Sequence, residues 1–167
     1  MNPRDDDTAR ELQTLASPLP VPQPRATLVW TAAVDVHARE SLGSGPLGER
    51  FIVPIAGGRF WGAPGYETLC GTVRAGGADR QLLRADGVKE LRAEYEMETT
   101  DGAVLTVVNE VIVDERVQPE RYALSRITVR APAGPHEWLN RRLFVGTLQT
   151  LRPQRDAVLV RGYLVEA

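Results

Sequence analysis

Residues 89–113 read Lys89-Glu90-Leu91-Arg92-Ala93-Glu94-Tyr95-Glu96-Met97-Glu98-Thr99-Thr100-Asp101-Gly102-Ala103-Val104-Leu105-Thr106-Val107-Val108-Asn109-Glu110-Val111-Ile112-Val113. Leu91, Ala93, Tyr95, Met97 and Thr99 alternate with Arg92, Glu94, Glu96 and Glu98, which is the period of a strand with one wet face and one dry one. After the Asp101-Gly102 dipeptide a second alternation begins, with Leu105, Val107, Val111 and Val113 on one face and Asn109 in its middle. Two such runs joined by Asp-Gly predict an antiparallel hairpin with a type I′ turn.

Outward from this hairpin the same pattern continues. Leu28, Trp30, Ala32, Val34 and Val36 share one face of a first strand, and further strands are predicted near 50–56, 58–62, 66–74, 79–84, 121–131, 142–150 and 156–165. Asp86-Gly87 marks a second hairpin. Gly57-Gly58 and Gly76-Gly77 suit either turns or the kinks that let a curved sheet close. Helical periodicity is absent after residue 26, although Glu137 to Leu143 could form one turn. About nine or ten evenly spaced strands define an all-β domain, a barrel or a sandwich.

Residues 1–25 differ in kind. A polar segment, Asp7 to Leu15, could be helical, and Pro18-Leu19-Pro20-Val21-Pro22-Gln23-Pro24 places four prolines in seven residues, which favours extended polyproline. The chain therefore divides into a proline-rich N-terminal arm, 1–25, and a β-domain, 26–167.

Composition narrows the function classes. A chain of 167 residues with one cysteine, Cys70, suits a single core and permits no intrachain disulfide. The acidic opening lacks the apolar stretch of a secretory signal, no run reaches membrane-spanning length, and a cytoplasmic location is expected. Eight arginines face three carboxylates in residues 121–167, against twelve bases and nineteen acids before them. Those arginines are dispersed rather than clustered with aromatics, which argues against nucleic-acid binding. His37, His136 and Cys70 show no metal-ligand spacing, and no phosphate loop or nucleophile elbow is present. Neither metal nor cofactor is expected.

Four motifs carry a family resemblance: Phe51-Ile52-Val53-Pro54-Ile55-Ala56-Gly57-Gly58-Arg59-Phe60, Gly76-Gly77-Ala78-Asp79-Arg80 running to Gly87, Thr99-Thr100-Asp101-Gly102-Ala103, and Trp138-Leu139-Asn140-Arg141-Arg142-Leu143-Phe144-Val145-Gly146. Over residues 26 to 165 the chain resembles domain of unknown function 3237, whose small proteins of the UPF0311 type form closed β-barrels. The resemblance tips the fold toward an antiparallel barrel and leaves the reaction open. The chain departs from the family pattern at Arg80, where a tryptophan is usual, and at Thr106, where a tyrosine is common. Arg92 and Glu94 stand with their charges exchanged.

Candidate site residues are polar groups on otherwise apolar strand faces, because an unpaired buried polar group costs roughly 1–3 kcal/mol and needs a reason. Asp79 is the candidate acid/base and Gln81, on the same face, its hydrogen-bonding neighbour; if the opposite face points inward, Arg84 becomes an anion anchor. Tyr95 and Asn109 stand on apolar faces. Trp138, Asn140 and Arg142 form a ligand wall if extended, whereas in a helical turn Trp138 caps the barrel end and Arg142 is a surface residue. Asp79, Asn109 and Asn140 are expected to converge on one cavity.

These residues fit a small-molecule barrel that isomerises, cyclises or eliminates on a hydrophobic oxygenated substrate without a cofactor. A carrier barrel without chemistry and a filled barrel serving as an assembly subunit are the alternatives. Self-association, with a dimer favoured, is expected from exposed aromatics such as Trp61.

Overall fold

The computed structural model describes residues 3–167. The chain forms one α-helix, α1 (Pro3–Ala16), and ten strands: β1 (Arg25–Val36), β2 (Glu40–Gly45), β3 (Gly48–Gly62), β4 (Gly71–Val73), β5 (Ala78–Arg84), β6 (Lys89–Thr99), β7 (Val104–Asp114), β8 (Tyr122–Arg130), β9 (Leu143–Thr150) and β10 (Ala157–Glu166). A 3-10 helix, Glu137–Arg141, precedes β9.

All pairings are antiparallel. The ring runs β1, β10, β9, β8, β7, β6, β5, β3 and back to β1, giving a closed eight-stranded barrel. The two short strands are additions: β2 pairs only with the first half of β3, and β4 bridges β3 and β6 beyond the end of β5. Neither short strand was fully visible in the alternation. Strand β2, Glu40-Ser41-Leu42-Gly43-Ser44-Gly45, is exposed throughout and so carries no inside–outside pattern. The predicted strand 66–74 shrinks to Gly71–Val73, with Cys70 just before it.

Closure explains the glycine pairs. Gly58 lies inside β3 opposite Val34, at φ 143°, and a Cβ there would stand 2.1 Å from the Ala33 carbonyl oxygen. It is therefore a kink that brings β3 against β1, which an L-residue would block.

Both Asp-Gly hairpins exist, but their turns differ from the predicted type I′. No described residue other than glycine has positive φ, so Asp86 and Asp101 cannot take the first I′ position. Instead Gly87 N–H donates to Arg84 O at 3.0 Å and Gly102 N–H to Thr99 O at 2.9 Å, each a turn closed by a left-handed glycine. Asp86 Oδ1 accepts from Val88 N–H at 3.1 Å and so fixes the first loop.

One end of the barrel is plugged. Trp30, Phe60, Leu69, Met97, Leu105, Val129 and Leu139 meet with no room for a water molecule between them, and Leu139 comes from the 3-10 helix. Each large apolar side chain so buried contributes about 1.5–3 kcal/mol. Buried His136 holds the plug by pairing its Nε2 with the Asp101 carboxylate at 3.2 Å.

The opposite end is looser. The inward-facing Leu83, Leu91, Ala123 and Val158 remain only half-buried there.

In the arm, the helix covers more than the expected Asp7 to Leu15, and Leu12, Leu15 and Leu19 are exposed. No described helix is long and apolar enough to cross a membrane.

Candidate functional site

Register assigns faces without ambiguity. Asp79 lies opposite Val53 on β3 and Ala93 on β6, and Ala93 lies opposite Asn109 on β7. Directly opposed residues share a face, so Asp79 and Asn109 both point inward in one cross-strand row, two strand spacings or about 10 Å apart. The row continues through Ile127 to Phe144. Toward the looser end, the next inward row is Phe51, Gln81, Leu91, Val111, Ser125 and Gly146. Deeper on β6 is Tyr95.

The polar members of these rows are unusual in what they lack. Asp79 Oδ1, Asn109 Oδ1, Tyr95 Oη, Ser125 Oγ and Trp30 Nε1 are fully enclosed and have no hydrogen-bond partner in the protein. Buried polar atoms are nearly always paired. Five on the inner face of one barrel constitute its most distinctive chemical feature.

Asp79 is the only carboxylate of the five. Burial is the largest influence on it and raises its carboxyl above the ordinary aspartate value, while the Gln81 hydrogen bond and the Arg92 backbone N–H pull the other way. Gln81 Nε2 donates to Asp79 Oδ2 at 2.6 Å, which fixes the carboxyl plane and leaves Oδ1 free. Burial likewise pushes the Tyr95 hydroxyl far up, so it remains a neutral donor. The row can therefore offer one movable proton and several fixed dipoles to an oxygenated molecule.

The remaining predicted site residues lie elsewhere. Arg84 ends β5 on the outside, paired with Asp86 at 2.6 Å and Glu90 at 3.2 Å. Asn140 sits in the 3-10 helix, where its Oδ1 accepts from Ala131 N–H at 2.9 Å and its Nδ2 donates to Ala131 O and Glu137 O, both at 3.0 Å. Its amide is consumed by backbone, so Asn140 lies outside the inward row that Asp79 and Asn109 share. The Trp138–Arg142 segment is a turn of helix rather than a strand. Trp138 stacks on Tyr66 at 5.8 Å and meets the edge of Phe144 at 6.1 Å, closing the plugged end. Arg142 is exposed and donates to Arg141 O.

Sequence reading missed Ser125, although its setting between Ala123 and Ile127 is the same polar-in-apolar anomaly as Asn109. It also passed over Phe51 and Arg39. The Arg39 guanidinium carbon lies 4.0 Å above the Phe51 ring, a contact between a loop and a strand that alternation cannot reveal.

A concavity of about 1200 Å³ opens over β5 to β8, where outward Leu82, Ile112 and Leu124, Pro46 and Leu47 of the β2–β3 hairpin, and the inward-row residues Phe51, Gln81, Leu91, Val111 and Ser125 all contribute to its lining. Its charged groups largely satisfy one another, as in Arg92 and Arg126 with Glu110. Among the described residues, no three His, Cys, Asp or Glu side chains are grouped to hold a metal ion.

The chain is thus a compact closed eight-stranded antiparallel β-barrel, plugged at one end and carrying unpaired polar groups on its inner wall. The sequence matches the family described as Protein of unknown function (DUF3237) over residues 24–165, and the chain belongs to that family. A UPF0311 protein of Rhodopseudomonas palustris is 33% identical over 132 residues, 71% of this chain and 84% of that protein. A crystal structure of a conserved protein of unknown function from the same species superposes with TM-score 0.77 at 31% identity, covering 87% of this chain and 100% of the other. A β-barrel-like protein from Acinetobacter baumannii gives 0.76 at 25% identity, over 88% and 99% of the two chains. An enzyme from Penicillium herquei gives 0.68 at 20% identity, over 89% and 98%, a likeness of fold alone.

Proposed function

We propose that the barrel binds a small, hydrophobic, oxygenated molecule through its looser end and catalyses a cofactor-independent proton transfer on it, as in an isomerisation, cyclisation or elimination. Asp79 carries the proton. The observation that supports this reading is the Asp79 carboxyl itself: enclosed, raised by burial, oriented by Gln81, and with Oδ1 unpartnered in a row shared with Asn109. A carboxyl raised by burial is a stronger base than a free aspartate and, once protonated, the acid that returns the proton. In this reading the Tyr95 hydroxyl donates to an oxygen on which negative charge develops, and Asn109 Oδ1 accepts from a donor on the ligand.

The chemistry is testable without the natural substrate. In D2O, a base that takes an α-proton from an enolisable ketone returns a deuteron to the same carbon, and no other co-reactant is needed. The wild-type protein is expected to accelerate α-proton exchange of 2-acetonaphthone, followed by proton NMR, and Asp79→Asn to reduce that acceleration at least a hundredfold. Equal exchange in wild type and Asp79→Asn would reject Asp79 as proton carrier and leave the ligand-carrier reading.

A further inference from the structure

Arg39 lies exposed in the link between β1 and β2. Phe51, over whose ring its guanidinium carbon lies at 4.0 Å, is buried, points inward and stands directly opposite Gln81, the residue that holds Asp79. Ser41, two residues beyond Arg39, pairs with Phe51 in the β2–β3 ladder.

Arg84, Arg116, Arg121, Arg152 and Arg155 each form an ion pair with a carboxylate, and Arg50 donates to Leu42 O. Arg80 has no such partner among the described residues, but it stands on the outer face of β5. Arg39 forms no ion pair or hydrogen bond with any described residue. A guanidinium stacked face-on against an aromatic ring keeps its edge donors available, because the ring engages only the flat face. An arriving carboxylate could take two of those donors side by side without displacing a protein partner.

We propose that Arg39 is the anion anchor of this site and that the ligand is a flat apolar body bearing a carboxylate. The ring of the ligand packs beside Phe51, the carboxylate engages Arg39, and the far end reaches the row of Asp79 and Asn109. The inference rests on the reading that the looser end admits a ligand.

The test uses the full chain labelled with 15N and two probes of equal shape, 2-naphthoate and 2-naphthamide. Naphthoate is expected to bind roughly tenfold more tightly than the amide, with the perturbed resonances including Phe51, Gln81 and Asn109. Arg39→Met, which keeps the stem against Phe51, should remove that advantage while changing naphthamide affinity less than about twofold, and Arg39→Lys should restore part of it. Arg59→Met, on the exposed outer side of β3, should do nothing. Naphthoate binding no better than naphthamide, equal weakening of both probes by Arg39→Met, or perturbations confined to other regions would overturn the proposal. Asp79→Asn should lose ketone exchange yet keep the preference for naphthoate over naphthamide, so failure of the anchor and failure of the Asp79 chemistry give separate results.

Discussion

Gly162 lies directly opposite Trp30 in the β1–β10 ladder, and a Cβ built on it would come within 2.3 Å of the indole. The glycine is a slot in the neighbouring strand over which the largest side chain of the core lies. Gly162→Ala should therefore force Trp30 off its rotamer and cost about 1–3 kcal/mol. A thermal melt followed by Trp fluorescence is expected to fall by several degrees, and an unchanged midpoint would show that the indole has room to move.

Asp79 is held where its charge is disfavoured, so its removal should stabilise the fold. A carboxyl raised in the native state favours folding fully at pH below its unfolded value, and the benefit is lost as pH rises through the native value. Asp79→Asn keeps the Gln81 bond and removes that penalty. At pH 7 the variant should melt about 2–4 °C above wild type, the shift that 1 kcal/mol gives a domain of this size, and the gap should close in acid. A variant less stable than wild type at pH 7 would show that the carboxylate is not strained there.

Asn140 is expected to behave as a structural residue. Asn140→Ala removes two hydrogen bonds that tie the 3-10 helix to Ala131, just after β8, and one within the helix, and should destabilise by about 1–3 kcal/mol. Ketone exchange per folded molecule should stay at the wild-type rate. A loss of exchange without loss of stability would return Asn140 to the site.

The plug has its own titration. Hydrogen bonding from the Thr99 hydroxyl, and next from His136, holds the Asp101 carboxyl below the usual aspartate range. The stability this pairing supplies is present above the unfolded aspartate value and lost as pH falls through the native one. In His136→Asn the Asp101 carboxyl, followed by carbon NMR, should titrate at higher pH than in wild type. Identical titration curves would mean that Thr99 alone sets its acidity.

Deleting residues 1–22 should leave the barrel folded, since the described arm side chains are exposed and bring no residue to the core cluster. Circular dichroism and melting of the truncated chain check this. A melting transition lowered by ten degrees or more would make the arm part of the fold.

Much of the barrel was written in alternation, because a wall with one dry face must place apolar residues at every second position. Leu105 to Val113 showed this most plainly, and Asn109 stood out within it. Asp79 was harder: β5 has Leu82 and Leu83 on opposite faces, so its pattern suits either orientation, and only the ladders to Val53 and Ala93 fix it. Asn140 misled because polar alternation over five residues looks alike in an extended segment and in a turn of 3-10 helix. Arg39 was illegible, since its meaning depends on a ring twelve residues away in the chain.

In the proposed function, the plug formed by Leu139, Trp138 and His136 closes one end of the barrel to the ligand and leaves the other as its passage. Whatever enters must leave by the route it came, so product and reactant compete for the same passage and cannot occupy it in tandem. Such traffic suits a transformation of one molecule into one isomer or fragment far better than a reaction in which two partners must meet from opposite sides. It also means that a tight-binding product would throttle turnover, and that mutations at the rim around Phe51 would alter release as much as capture.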